Sequence, residues 1–291
     1  MEAKIKQVVA ILNPPAPHMV GDGFRVHNFF PSGYRLNMSP FYMLDYNAKI
    51  EFSARNEPRG VGVHPHRGFE TVTIAYHGAV AHHDSAGNSG IIYPGDVQWM
   101  TAASGILHKE YHEEAFSKEG GIFQMVQLWV NLPAKNKMST PKYQGIKKSE
   151  LQQFALPDNA GVIEIIAGNY QDKNGSASTF SPIEMYNARL NNGAKANFSF
   201  PADYNTGMVV IEGEIKVNGN EIATTDQFIH FKNEGEEIAI EALADSVILI
   251  LSGEPINEPI TAYGPFLMNT GEEIQQALAD YNEGKFGYLE D

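Results

Sequence analysis

Seven of the ten histidines in this 291-residue chain fall between residues 64 and 112. Two pairs stand out there: His64 with His66, and His108 with Glu110, each at i, i+2 spacing. On a β-strand that spacing turns both side chains to one face, about 6.8 Å apart along the strand. Two such strands facing each other would bring three imidazoles and a carboxylate to one point, which is a nitrogen/oxygen site for a divalent metal. Glu70 is a second candidate carboxylate, because it lies six residues after His64 and strand parity points it the same way. His82, His83 and Asp84 read as the mouth of a fold, His83 and His112 as solvated loop residues, and His77 as a turn residue before Gly78. His18, His27 and His230 read as structural or solvated.

The elements that must position these residues are strands. Runs such as Glu70 to Tyr76, Val97 to Thr101, Ile122 to Asn131, Met208 to Val217 and Val247 to Leu251 are β-rich, and Pro94-Gly95-Asp96, Asn192-Gly193 and Asn218-Gly219 punctuate them as turns. Short strands at this spacing suggest sandwiches or barrels, not a parallel α/β sheet. Alternation along Val97 to Thr101 is expected to turn Gln98 and Met100 toward a cavity. The one convincing helix comes last, from Gly271 to Tyr281, with Asn269 or Thr270 as N-cap and Glu272 and Glu273 in the first turn. The expected division is a domain over residues 1–132 that carries the metal site, a polar linker over 133–150, and a domain without metal over 151–291 that ends in the helix. A shift of 135 residues lays Glu70 to Gly78 over Asn205 to Gly213, both apolar strands closing on glycine, and suggests a duplicated fold. In the second copy Ser199, Pro201 and Asn205 stand at the positions of His64, His66 and Glu70.

Composition narrows the function classes. A hydrophobic content of 43% suffices for packed cores, and no apolar run approaches a membrane span. The chain has no cysteine, so disulfides, thiolate ligands and cysteine nucleophiles are excluded. Its net charge of −14, with no basic run beyond Lys147-Lys148, argues against a nucleic-acid backbone as partner. The first residues lack an apolar signal segment, and the cytoplasm is the default compartment.

The stretches His64 to Thr73, Pro94 to Ala102, Gly105 to Glu110 and Gly264 to Thr270 together resemble the pirin family of the cupin superfamily. The resemblance implies an all-β bicupin, two packed jelly-roll barrels with one mononuclear metal in the first. It assigns the ligands to His64, His66, His108 and Glu110, and leaves Glu70 as an acceptor for a ligand imidazole N–H. Iron(II) is the metal it implies, although manganese, cobalt, nickel, copper and zinc suit the same donors. It also implies a quercetinase-like dioxygenase that takes a small aromatic substrate and dioxygen, with Glu110 accepting the substrate's proton. The alternative it carries is a metal- or redox-responsive regulator that binds a protein partner. In Val20 to His27, where animal pirin has a basic loop, this chain has Asp22 and Arg25.

Overall fold

The computed structural model describes residues 4–290, and its contacts group the chain into two compact units. The first unit holds residues 1–15, 36–40 and 149–255, and the second holds 16–35, 41–148 and 256–291. The termini are therefore exchanged relative to the contiguous halves 1–132 and 151–291 expected from sequence. The exchange has a local cause. In the first unit the strand Val8–Leu12 pairs with Phe228–Phe231 and covers the edge of its sheet, and uncovered edges invite unwanted pairing. The terminal helix Gly271–Asn282 belongs to the second unit, where it packs on Thr261–Tyr263 and Phe266–Met268. Its start is fixed as the sequence implies, by a capping box in which Thr270 and Glu273 bond each other's backbone.

Each unit is a seven-stranded antiparallel sheet facing a four-stranded one. In the second unit the large sheet runs Lys142–Ile146, Val97–Thr101, Phe69–His77, Gly121–Asn131, Phe41–Phe52, Phe24–Phe30, His18–Val20. Its small sheet runs Gly60–His66, Ile106–His112, Val80–Asp84, Ser89–Ile92. The first unit repeats the order: Val8–Leu12, Phe228–Phe231, Asn205–Glu212, Ser246–Gly253, Ile183–Leu190, Gly161–Ala167, Gln152–Ala155, with Lys195–Ser199, Glu237–Ala242, Glu214–Val217 and Glu221–Thr224 facing them. Asn205–Glu212 thus occupies the place of Phe69–His77, in agreement with the 135-residue shift. The expected barrels do not close, because among the described residues no ladder joins the large sheet of a unit to its small one. The fold is the cupin double sheet with open edges.

Residues 133–150 are not a linker. Lys142–Ile146 is the edge strand beside Val97–Thr101, and Lys137 is buried, donating from Nζ to the carbonyls of Gly68 and Leu267 and to Asn131 Oδ1. Burial holds its ammonium down at a pKa of about 8. One cation therefore ties the corner after the His64/His66 strand to the C-terminal segment. Lys137→Met would leave these buried acceptors unsatisfied, and we expect it to lower unfolding stability by about 2–3 kcal/mol in denaturant titrations. Unchanged stability would show that water replaces the ammonium.

Candidate metal centre

Alternation builds the centre. Along Ile106–His112, residues 106, 108, 110 and 112 are buried and the residues between them are partly exposed, so His108 and Glu110 share the inner face. The neighbouring strand Gly60–His66 places His64 directly opposite His108. This strand is the edge of its sheet, which is where Pro65 can sit without breaking a ladder bond. Its register slips between the His108 and Glu110 pairings, a bulge that re-aims side chains at the site.

His64, His66 and His108 present ligand atoms within 4.8 Å of one another, with ring centroids 4.2 to 4.8 Å apart. Burial, then the neighbouring imidazoles, hold His66 and His108 well below the usual histidine range, so both are neutral with a free lone pair near pH 7. His64 Nδ1 lies 2.8 Å from the Gly62 carbonyl, which leaves its Nε2 to face the cluster. Both ring nitrogens of His108 and Nδ1 of His66 are buried with no hydrogen-bond partner. Neutral imidazoles in that condition suit a divalent transition metal.

Glu110, two residues beyond His108 on the same strand face and close to it and to His82, is held from the facing sheet. Gln127 Nε2 donates to its Oε2 at 2.9 Å and Oε1 at 3.1 Å, and Thr73 Oγ1 donates to Oε1 at 3.4 Å. Against His64 and His66 lies a cavity of about 340 Å³ whose wall is mostly apolar, from Phe24, Val26, Met43, Met125 and Trp129. His66 packs edge-on against Phe69 and Trp129. A broader hollow of about 700 Å³ lies around His83, Tyr111 and Tyr93, and none of the four clustered residues lines it.

Glu70 is placed elsewhere. The strand of His64 and His66 ends before it, and Arg67-Gly68 form a corner in which Gly68 has a φ of +92°. A Cβ at Gly68 would meet the Leu267 carbonyl at 2.1 Å, so glycine is required there. The corner resets the parity: Thr73 faces the cluster, and Glu70 therefore points to the opposite side of its sheet. There it accepts from Thr101 Oγ1 at 2.7 Å, not from a ligand imidazole. Burial raises its pKa to about 7 against the opposing pull of Thr101 and the Lys142 charge.

Gln98 and Met100 face the interior, since they pair with Thr73 and Thr71, but neither lines the cavity: Met100 packs in a core with Ala102 and Ile106. His83 is partly exposed and stacks on Tyr111. His112 is buried, not solvated: its Nε2 lies 2.8 Å from the Gly23 carbonyl, among Phe24, Phe52, Phe116 and Phe123. His82 is fully buried beside His108 and forms a second close group with His108 and Glu110. Its pairing partner across the ladder is Glu110, a relation that only strand register reveals.

Two facing sheets in each unit, and a largely buried histidine cluster with Glu110 beside His108 in one of them, define a two-domain cupin with a candidate mononuclear metal site. A Pirin family model matches residues 23–130, and a model of the Pirin C-terminal cupin domain matches residues 185–287. A Pseudomonas aeruginosa protein named "Putative quercetin 2,3-dioxygenase" is 46% identical over 97% of this chain and 99% of its own length. Human pirin is 34% identical over 92% and 90%. The crystal structure of a quercetin 2,3-dioxygenase from Acinetobacter baumannii aligns with a TM-score of 0.92 at 45% identity, covering 98% of this chain and all of that one. The chain belongs to the pirin family.

Two outcomes follow. His64→Ala and His108→Ala should each lose most of one bound metal equivalent, and Glu110→Gln should weaken binding more than Glu70→Gln, all read by metal analysis after dialysis. The reverse order of the two carboxylates would move the ligand to Glu70. Separately, native Glu70 keeps a proton between its ordinary 4.5 and about 7, where the unfolded chain releases it. That contribution to stability is complete below pH 4.5 and is lost as pH rises to about 7. Glu70→Gln should escape the loss and gain up to about 3 kcal/mol over the native protein at pH 8, and a pH-independent difference would contradict this.

Proposed function

We propose that this protein is a metal-dependent dioxygenase of the quercetin 2,3-dioxygenase type, with His64, His66, His108 and Glu110 as ligands to one divalent metal, iron(II) first among the candidates. The observation that carries the reading is the mostly apolar cavity of about 340 Å³, lined by His64, His66 and Glu110 themselves. A closed structural site would have no use for such a space, whereas a planar aromatic substrate would. The names of the Pseudomonas and Acinetobacter relatives support the substrate class.

When bound, such a metal would act as a Lewis acid toward the flavonol's hydroxyl and ketone and bring dioxygen to the same centre. The protein's own residues do the rest. Trp129 and Phe69, stacked at 4.1 Å, wall the site beside His66 and offer an aromatic face. Gln127 and Thr73 hold the Glu110 carboxylate toward the cluster, and Glu110 would accept the flavonol's hydroxyl proton at Oε1 or Oε2. The interior of the first unit is filled by Met208, Val210, Ile215, Ile240 and Ile250. We therefore assign one metal per chain, and the first unit would serve stability.

The decisive measurement is dioxygen uptake with quercetin by protein of known metal content. Turnover that disappears on chelation and returns with iron(II) is the expected result. A fully loaded but inert protein would shift weight to the partner-binding reading.

A further inference from the structure

We propose that Asp45 is a specificity-determining residue of the cavity, accepting a hydrogen bond from a ligand hydroxyl other than the one at the metal end. The inference rests on the flavonol reading above and adds to it a residue and a selection rule. Across the inner face of the large sheet runs a row of polar residues, one from each of five strands. Ladder pairing sets Asn28 against Asp45, Asp45 against Gln127, Gln127 against Thr73, and Thr73 against Gln98. Gln127 and Thr73 are engaged by Glu110. Asp45 stands one strand beyond Gln127, about 4.8 Å away.

Asp45 lines the cavity and is only 7% exposed. Asn28 Nδ2 donates to its Oδ1 at 2.7 Å, and Asn28 is itself fixed by Ser32 N–H on its Oδ1. Among the described residues nothing donates to Oδ2. A buried carboxyl with one oxygen held and the other open, in a cavity walled by Val26, Met43 and Met125, is an acceptor waiting for a donor. Burial raises its pKa, with Asn28 and the His18 charge pulling the other way, so its environment favours a ligand that brings a proton to share. Hydroxyl-rich aromatics satisfy it. Ethers at the same position cannot donate, and an aromatic carboxylate would bring like charge to it.

The test uses the full chain loaded with nickel(II) and kept under argon, so that binding is read without turnover. Quercetin and 3-hydroxyflavone, which shares the 3-hydroxyl and lacks the others, are titrated against the native protein, Asp45→Asn and Asp45→Ala. Native protein should prefer quercetin by about tenfold or more, the contribution of one hydrogen bond to a charged acceptor. Both variants should bring the ratio near one while binding 3-hydroxyflavone and nickel(II) as the native protein does. Asp45→Asn preserves shape and the Asn28 contact, so loss of its preference reads the acceptor and not the packing. A ratio unchanged by both substitutions, or equal weakening of both flavonols, overturns the role of Asp45 alone. If neither flavonol binds the native loaded protein, the inference falls together with the flavonol reading.

Discussion

Burying polar nitrogen and oxygen between two apolar sheets is the constraint around which the second unit is organised. His66, His108 and Glu110 are almost wholly removed from water, and an unpartnered buried polar group costs on the order of 1–3 kcal/mol. The large sheet answers with Gln127 and Thr73, set by ladder register directly across from the Glu110 carboxylate. Neutrality answers the rest: crowding and burial keep His66 and His108 uncharged. What remains unsatisfied is the set of inward ring nitrogens, and it is these that the proposed metal would engage.

The same strand order built without that constraint fills with hydrocarbon. In the first unit Ile215 and Ile240 on the small sheet meet Met208, Val210 and Ile250 on the large one. Among the described residues no cluster of imidazoles is present there to call for a polar row beside it. The comparison separates what the cupin double sheet requires, which is strand order and alternation, from what the chemistry adds. In the second unit the additions are the bulge opposite His108 and Glu110, the Gly68 corner, and the polar row that ends at Asp45 and Asn28.

The strands that carry the histidine cluster are also braced from outside. Arg67, the residue after His66, forms a buried ion pair with Asp280 at 2.8 Å and donates from Nε to the Ser104 carbonyl. Its guanidinium lies 4.7 Å from the Phe286 ring centroid, and Lys109 Nζ reaches the Glu290 carbonyl. The C-terminal segment is thus tied to both strands of the cluster, which explains why it groups with residues 41–148 and not with the residues that precede it in the chain.

The sequence alone determined the two same-face pairs, because period-two alternation is local and needs only the residues at i and i+2. The β class, the capped terminal helix and the duplication were legible for the same reason. Strand parity also placed Gln98 and Met100 inward. It failed for Glu70, since parity holds only within one strand and the Arg67-Gly68 corner separates Glu70 from His66. His82 beside Glu110, His112 inside an aromatic cluster, Lys137 beneath the corner and Asp45 next to Gln127 were decided by tertiary structure. Each depends on which distant strand lies alongside and in what register, a pairing set by the burial of whole sheet faces and not by any residue's near neighbours.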